Sequence, residues 1–199
     1  MKKISFIIFI VLLSGSLFGQ RIYFGSPLKI RLMGKISVES KSITGKQSVL
    51  TGVHLDEMIF NKFIVGVYGK AKLNPITSEV PKIYGKKIGY FEGGFTGGIY
   101  FGDEYKKKPA VDIYGIIHVG VACINWGDGI RNPKDYTPYI EPNFIVEKRF
   151  ILFKSGRTVP VLSIGAGVNY GFGFMIDQVY TNKAVRGPGV FIHLKYLLI

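Results

Sequence analysis

The chain has 199 residues, enough for one all-β domain, and carries 26 Lys and Arg against 13 Asp and Glu, for a formal net charge of +13. Its mean hydropathy is nevertheless +0.25, and it is rich in Gly (26), Phe (15) and Tyr (12). A soluble domain this basic would be less apolar, and a helical membrane protein would repeat apolar runs of about 20 residues, of which none follows the N-terminus; strands with only alternate residues facing lipid reconcile these facts.

Lys2 and Lys3, the apolar run Ile4 to Leu13, and Ser14-Gly15-Ser16-Leu17-Phe18-Gly19 before Gln20 have the layout of a secretory signal peptide. Residues 1–19 are therefore expected to be removed, leaving 20–199 as the barrel domain. Cutting after Gly19 puts bulky Leu17 at the third position back, whereas cutting after Ser16 puts Ser14 there. The mature chain loses only the charges of Lys2 and Lys3. Cys123, the one cysteine, lies in an apolar strand-like run, can make no internal disulfide, and reads as a small hydrophobe.

Eight β-like segments follow, marked by β-branched and aromatic residues in period-two alternation: 27–39, 47–60, 62–72, 87–101, 110–124, 138–151, 158–171 and 189–199. Asn61 and Lys62 suffice for a tight turn. Gly102-Asp103-Glu104 to Lys108-Pro109 and Lys154-Ser155-Gly156-Arg157 make the other shorter links. Longer, breaker-rich links run from Leu73 to Lys86, from Gly127 through Pro133 and from Asp177 to Pro188, with Ser40 to Lys46 intermediate. Alternating longer and shorter links predict a closed, antiparallel, up-and-down, eight-stranded transmembrane barrel, with short turns and both termini in the periplasm and longer loops outside.

The faces agree with this reading. Ile30, Leu32, Ile36 and Val38 alternate with Lys29, Arg31, Lys35, Ser37 and Glu39, and comparable alternation runs through the sixth and last segments. Aromatics near the short turns (Phe60, Phe63, Phe101, Phe150, Phe153) and near the longer loops (Tyr90, Trp126, Tyr136, Tyr139, Tyr170) predict two interfacial girdles. An eight-stranded barrel is just wide enough for side chains to fill it. A lumen network of paired charges is therefore expected from Lys29, Arg31, Lys35, His54, Glu92, Asp112, His118, Glu141, Glu147, Arg149, His193 and Lys195.

Other chemistry finds little support. His54, His118 and His193 lie on three separate segments without metal-ligand spacing, so neither a metal nor a cofactor is expected. Ser163 has no base assigned to it by spacing, so no catalytic residue is named. The Gly-rich stretches lack a Gly-Lys-Ser/Thr ending. Lys82, Lys86, Lys87, Arg131, Lys134, Lys183 and Arg186 fall in or beside the longer loops, where phosphorylated outer-leaflet glycolipid would attract them. Dispersed basic residues on an exported chain exclude nucleic acid as the partner.

Gly45-Lys46-Gln47-Ser48-Val49-Leu50-Thr51-Gly52, Ile59-Phe60-Asn61-Lys62-Phe63-Ile64-Val65-Gly66, Tyr139-Ile140-Glu141-Pro142 and Gly189-Val190-Phe191 resemble a family of small outer-membrane β-barrel proteins of gram-negative bacteria, with the plan of the OmpA-type membrane domain. The resemblance spans nearly all of the mature chain. It implies a porin-like fold in the outer membrane, the outer-membrane assembly machinery as a partner, and a monomer. Two departures accompany it: the chain closes on Leu197-Leu198-Ile199 rather than on an aromatic, and no peptidoglycan-binding domain follows. The expected role is a non-enzymatic structural or surface-interaction component acting through the outer loops. Two alternatives remain: a narrow ion or small-solute channel or transport accessory, and a soluble lipocalin-like barrel holding a lipophilic ligand. The last requires the face of Ile30, Leu32, Ile36 and Val38 to point inward.

Overall fold

Period-two alternation leaves each strand with one polar and one apolar face, and a sheet built from such strands can satisfy both faces by rolling up. A computed structural model, which describes residues 30–43, 45–74, 76–78, 84–101, 110–126, 134–152, 160–174 and 186–198, has this form. The strands are β1 (Ile30–Ile43), β2 (Lys46–Ile59), β3 (Phe63–Lys72), β4 (Ile76–Thr77), β5 (Lys87–Tyr100), β6 (Ala110–Trp126), β7 (Lys134–Ile151), β8 (Pro160–Gly173) and β9 (Gly187–Leu198). Around the barrel they run β3-β2-β1-β9-β8-β7-β6-β5, and β3 pairs with β5 to close the ring. Every pairing is antiparallel. The two-residue β4 adds only to the start of β5, outside the ring of eight. The signal-peptide segment and Lys29 lie outside the described residues.

Side chains alternate across the wall as a strict period of two demands. Leu32, Ile36 and Val38 are exposed, whereas Met33, Lys35, Ser37, Glu39 and Lys41 between them are buried. The outer wall carries Val53, Leu55, Val65, Val67, Phe95, Ile117, Phe144, Val168 and Ile192 among many other exposed apolar side chains. This orientation removes the lipocalin-like reading, because the described members of the face it needs inside, Leu32, Ile36 and Val38, point out.

Three expectations are corrected. The first segment does not stop at residue 39: β1 continues to Ile43, and Ile43 pairs with Lys46, leaving residues 44–45 to turn the chain. Gly45 has φ of +79°, a left-handed conformation that glycine adopts without steric cost. The Ser- and Lys-rich tip looks like a loop, but Lys41 and Ile43 face inward while Ser40 and Ser42 face out, so the alternation never breaks. The link lengths change accordingly. The connections are 44–45, 60–62, 73–86, 101–109, 127–133, 152–159 and 174–186, so they do not alternate strictly between long and short.

The third correction concerns the aromatics. Phe60, Phe63, Phe101 and Phe150 are exposed at the terminal end, as one girdle requires, and Tyr136 and Tyr170 are exposed at the loop end. Tyr90, Trp126 and Tyr139 instead point inward and are buried. They share strand parity with Glu92, His118 and Glu141, so the pleat that places those groups in the lumen places the rings there too. Phe153 lies outside the described residues.

Closure of β1 on β9 makes Ile36 and Leu194 direct antiparallel partners, at a separation that a disulfide can span. Oxidised Ile36→Cys/Leu194→Cys protein, carried on Cys123→Ser, should cross-link nearly completely when folded and run as a closed loop on non-reducing gels. Folded protein that stays uncross-linked would mean that the first and last strands do not meet.

Candidate functional site: the sealed lumen and its rim

Inside the ring, polar side chains are stacked between two apolar plugs. At the loop end Ile43, Leu50, Ile88, Tyr90, Ile124, Trp126 and Tyr139 pack together. At the terminal end Met33, Met58, Ile64, Tyr100, Tyr114, Ile145 and Leu197 do the same. The charges between them are shut away from solvent. Glu92 and Glu141 are 0% exposed, and Arg149 is 1%.

Nearest the loop end is a cage of three carboxylates, those of Glu39 on β1, Glu92 on β5 and Glu141 on β7, with oxygens within 4.8 Å of one another. The ammonium of Lys70, on β3, sits among them, 2.6 Å from Glu39 Oε2, 2.9 Å from Glu92 Oε1 and 2.5 Å from Glu141 Oε1. A second ammonium, that of Lys41, lies 2.6 Å from Glu141 Oε2 and 3.5 Å from Glu92 Oε2. Tyr90 donates to Glu92 and Tyr139 to Glu141, which ties the loop-end plug to the cage. Asn169 donates to Glu39 at 2.9 Å. Three converging carboxylates could hold a metal ion, but here a tethered ammonium already contacts all three.

Below the cage, the rings of Tyr68 and His118 stack at 4.1 Å between centroids, and His54 lies 5.2 Å from His118. His118 Nδ1 is 3.1 Å from Glu141, and His54 Nε2 is 3.2 Å from Ser37 Oγ. Further down, Glu147 accepts from Tyr114 at 2.7 Å, pairs with Lys195, and lies 3.0 Å from His193. Lys35 is 3.9 Å from Asp56. At the terminal end Arg149 holds Asp112 through two bonds, Nε at 2.9 Å and Nη2 at 2.6 Å, and Tyr100 also donates to Asp112. Large side chains cross the lumen where the facing wall is glycine. A Cβ added at Gly165 would collide with the His193 ring, and one added at Gly167 would collide with that of Phe191.

Lys35, His54, Glu92, Asp112, His118, Glu141, Glu147, Arg149, His193 and Lys195 are thus all buried in the lumen. Arg31 stands at the terminal rim, partly exposed. Lys41, Lys70, Glu39 and Asp56 complete the network without having been named as its members, although each shares strand parity with one that was or with its inward neighbours. His54 and His118 come together, with Tyr68, Ser37 and Glu141 as their neighbours. Ser163 Oγ is buried on β8 beside Arg149 and Lys195, its partners in register, and has no hydrogen-bond partner.

At the loop end Lys86, Lys87 and Arg186 are exposed. Lys134 opens β7, while Lys82, Arg131 and Lys183 lie outside the described residues. Lys46 and Lys72 also stand at this rim, at the ends of β2 and β3.

No protein-family model matches the chain, and no curated protein sequence does. Among solved structures it is similar to Neisserial surface protein A, with a TM-score of 0.54 at 11% identity over 83% of this chain and 95% of that one. It also aligns with Ail, the attachment invasion locus protein of Yersinia pestis, with a TM-score of 0.47 at 8% identity over 85% of this chain and 98% of that one. The first likeness shows the fold: a closed eight-stranded barrel of the kind found in outer membranes.

Removing one partner from a buried ion network leaves the other charge uncompensated, at a cost of about 3–5 kcal/mol. Lys70→Met should therefore lower the unfolding free energy by about that amount, with part of the loss restored by adding Glu92→Gln. Urea titration of gel mobility in unboiled samples reads both values. A Lys70→Met barrel as stable as the parent would show that the cage contributes nothing.

Proposed function

We propose that the protein is a non-enzymatic outer-membrane barrel whose interior is a closed structural filling and whose function lies at its loop-end surface. The observation that carries this reading is the inverted distribution of residue types. Large apolar side chains cover the outer wall, while paired charges and hydroxyl groups occupy the inside. In water such a wall would be an aggregation surface far above the few hundred Å² that soluble monomers expose. In a bilayer it is the surface that hydrocarbon requires, and a closed ring leaves no unpaired strand edge in lipid. The signal-peptide layout of residues 1–19 supplies the route to that membrane. The likeness to Neisserial surface protein A, a surface protein by name, points the same way.

The partner that fits the rim is anionic. Lys46, Lys72, Lys86, Lys87 and Arg186, with Lys134 on β7, ring the loop end, and Asp135 is the acidic residue among the described ones there. Phosphate groups on outer-leaflet glycolipid match such a ring in charge and in height. The channel reading has less to support it, because apolar plugs stand at both ends of the polar stack.

Cell fractionation should recover the protein in the outer membrane, with a mobility shift between unboiled and boiled samples, and purified protein in planar bilayers should give no discrete currents. Recovery as a detergent-independent soluble protein would overturn the membrane reading. Stable unitary currents altered by Glu141→Gln would establish the channel instead. Lys86→Glu/Lys87→Glu/Arg186→Glu should weaken binding to vesicles containing phosphorylated glycolipid at least tenfold, with the parent's affinity falling steeply as salt rises.

A further inference from the structure

The outer wall is not evenly filled. A groove of about 630 Å³ crosses β7, β8, β9, β1 and β2 on the outward face. The strand registers show how it arises, as two neighbouring rows across the wall. In one, Phe144 faces Val168, Val168 faces Val190, Val190 faces Ser40 and Ser40 faces Val49. In the other, Val146 faces Ala166, Ala166 faces Ile192 and Ile192 faces Val38. Most of these side chains are short. The row toward the terminal end holds Ile164, Leu194 and Ile36, which are longer and stand out as a ledge.

Toward the loop end the wall changes character. The next row contains Tyr170 opposite Pro188 and Ser42 opposite Gln47, and Gln47 donates to Ser40 at 2.7 Å. Directly above them stands exposed Arg186, which precedes Gly187 and shares the outward parity of Pro188 and Val190, whereas Lys46 pairs with Ile43 and shares its inward face. Arg186 lies four residues along β9 from Val190, on the same face, so it stands roughly 13 Å above the groove at strand spacing. An apolar trough, a polar shelf and a cation follow one another in the order of an acyl chain, its ester or amide linkage and a phosphate.

We propose that this groove seats one acyl chain of a phosphorylated outer-leaflet glycolipid, with Arg186 taking its phosphate. This rests on the outer-membrane reading above and adds to it a defined wall site, separate from Lys86 and Lys87 at the start of β5. Charge complementarity at the rim and the continuity of the groove with the lipid-facing wall select this occupant. A second protein copy would have to bring a protruding apolar ridge past the same cation.

The test uses the full mature barrel, purified in detergent and exchanged with bis-phosphorylated lipid A, its dephosphorylated form, or phosphatidylethanolamine, with retained lipid counted by native mass spectrometry. The parent should retain lipid A in preference to both others. Ala166→Phe and, independently, Val190→Phe fill the trough from outside and should each reduce retention at least tenfold while leaving the heat-dependent mobility shift intact. Arg186→Glu should abolish the preference for the phosphorylated form. If lipid A binds but only Lys86→Glu/Lys87→Glu removes it, the groove assignment fails and the surface reading stands. If the protein is not in the outer membrane at all, the surface reading itself has failed. Equal retention by the parent and both Phe variants would also overturn the groove assignment.

Discussion

Lys70 bonds to carboxylates from three different strands, β1, β5 and β7, from its own position on β3, and much of the inner wall is arranged to make that contact possible. The wall residue Gly52 lies close against both the Lys70 stem and Ser37, with no room for a Cβ, so the chain can cross. Tyr90 and Tyr139 close the cage from the loop end and turn their hydroxyls down to Glu92 and Glu141. A barrel of eight strands shuts its inward side chains into a space with little water, so each charge there must find its partner in the protein. Desolvation makes such pairs costly to assemble and more costly to break. The cage therefore does less to raise stability than to fix which strands face one another across the lumen, since a one-residue slip of β3 would swing Lys70 out to the apolar wall and leave three carboxylates together inside.

Much of this was legible in the sequence, for one reason: a period of two is exact. β7 shows it best. Glu141, Asn143, Glu147 and Arg149 all point inward, and Phe144, Val146 and Phe150 all point out. The misreadings came where another cue was allowed to outrank parity. Lys41 fell within a stretch rich in Ser and Lys that looked like a loop, yet it lies two residues beyond Glu39 on the same face. Lys70 sits in a strand with Gly66 and Gly69, whose lack of side chains thins the apolar pattern, although Ile64, Tyr68 and Lys70 keep one parity throughout. Tyr90, Trp126 and Tyr139 were placed by their nearness to strand ends, which fixes depth along the barrel but not side. Which cation meets which carboxylate was not legible, because it depends on the stagger between strands that are not neighbours in sequence.

The closed lumen also explains the charge of the chain. Six of the 13 acidic residues, Glu39, Asp56, Glu92, Asp112, Glu141 and Glu147, are buried inside with five of the 26 basic ones, Lys35, Lys41, Lys70, Arg149 and Lys195. The interior is thus close to neutral, and the excess positive charge falls on the rims, the connections and the N-terminal segment. A strongly basic composition here does not describe a basic surface patch laid over a soluble core. It is the remainder after the lumen has taken nearly half of the acids.

That partition separates the parts of the molecule that hold the fold from those left to meet partners. Any charge reversal inside must be answered by a second one, because there is almost no solvent to screen it. At the rim and on the wall no such constraint applies: Lys86 or Arg186 can change sign without uncovering a buried partner, and Val190 or Ala166 can change size without disturbing the lumen. Binding properties can therefore vary on the outside while the inside stays fixed. The groove over β8 and β9 fits this division. Its side chains Ala166, Val168, Val190 and Ile192 all point out, whereas Gly167 packs on the lumen side, where a Cβ would meet the Phe191 ring. The groove can thus be lined by short side chains without loosening the lumen packing behind it.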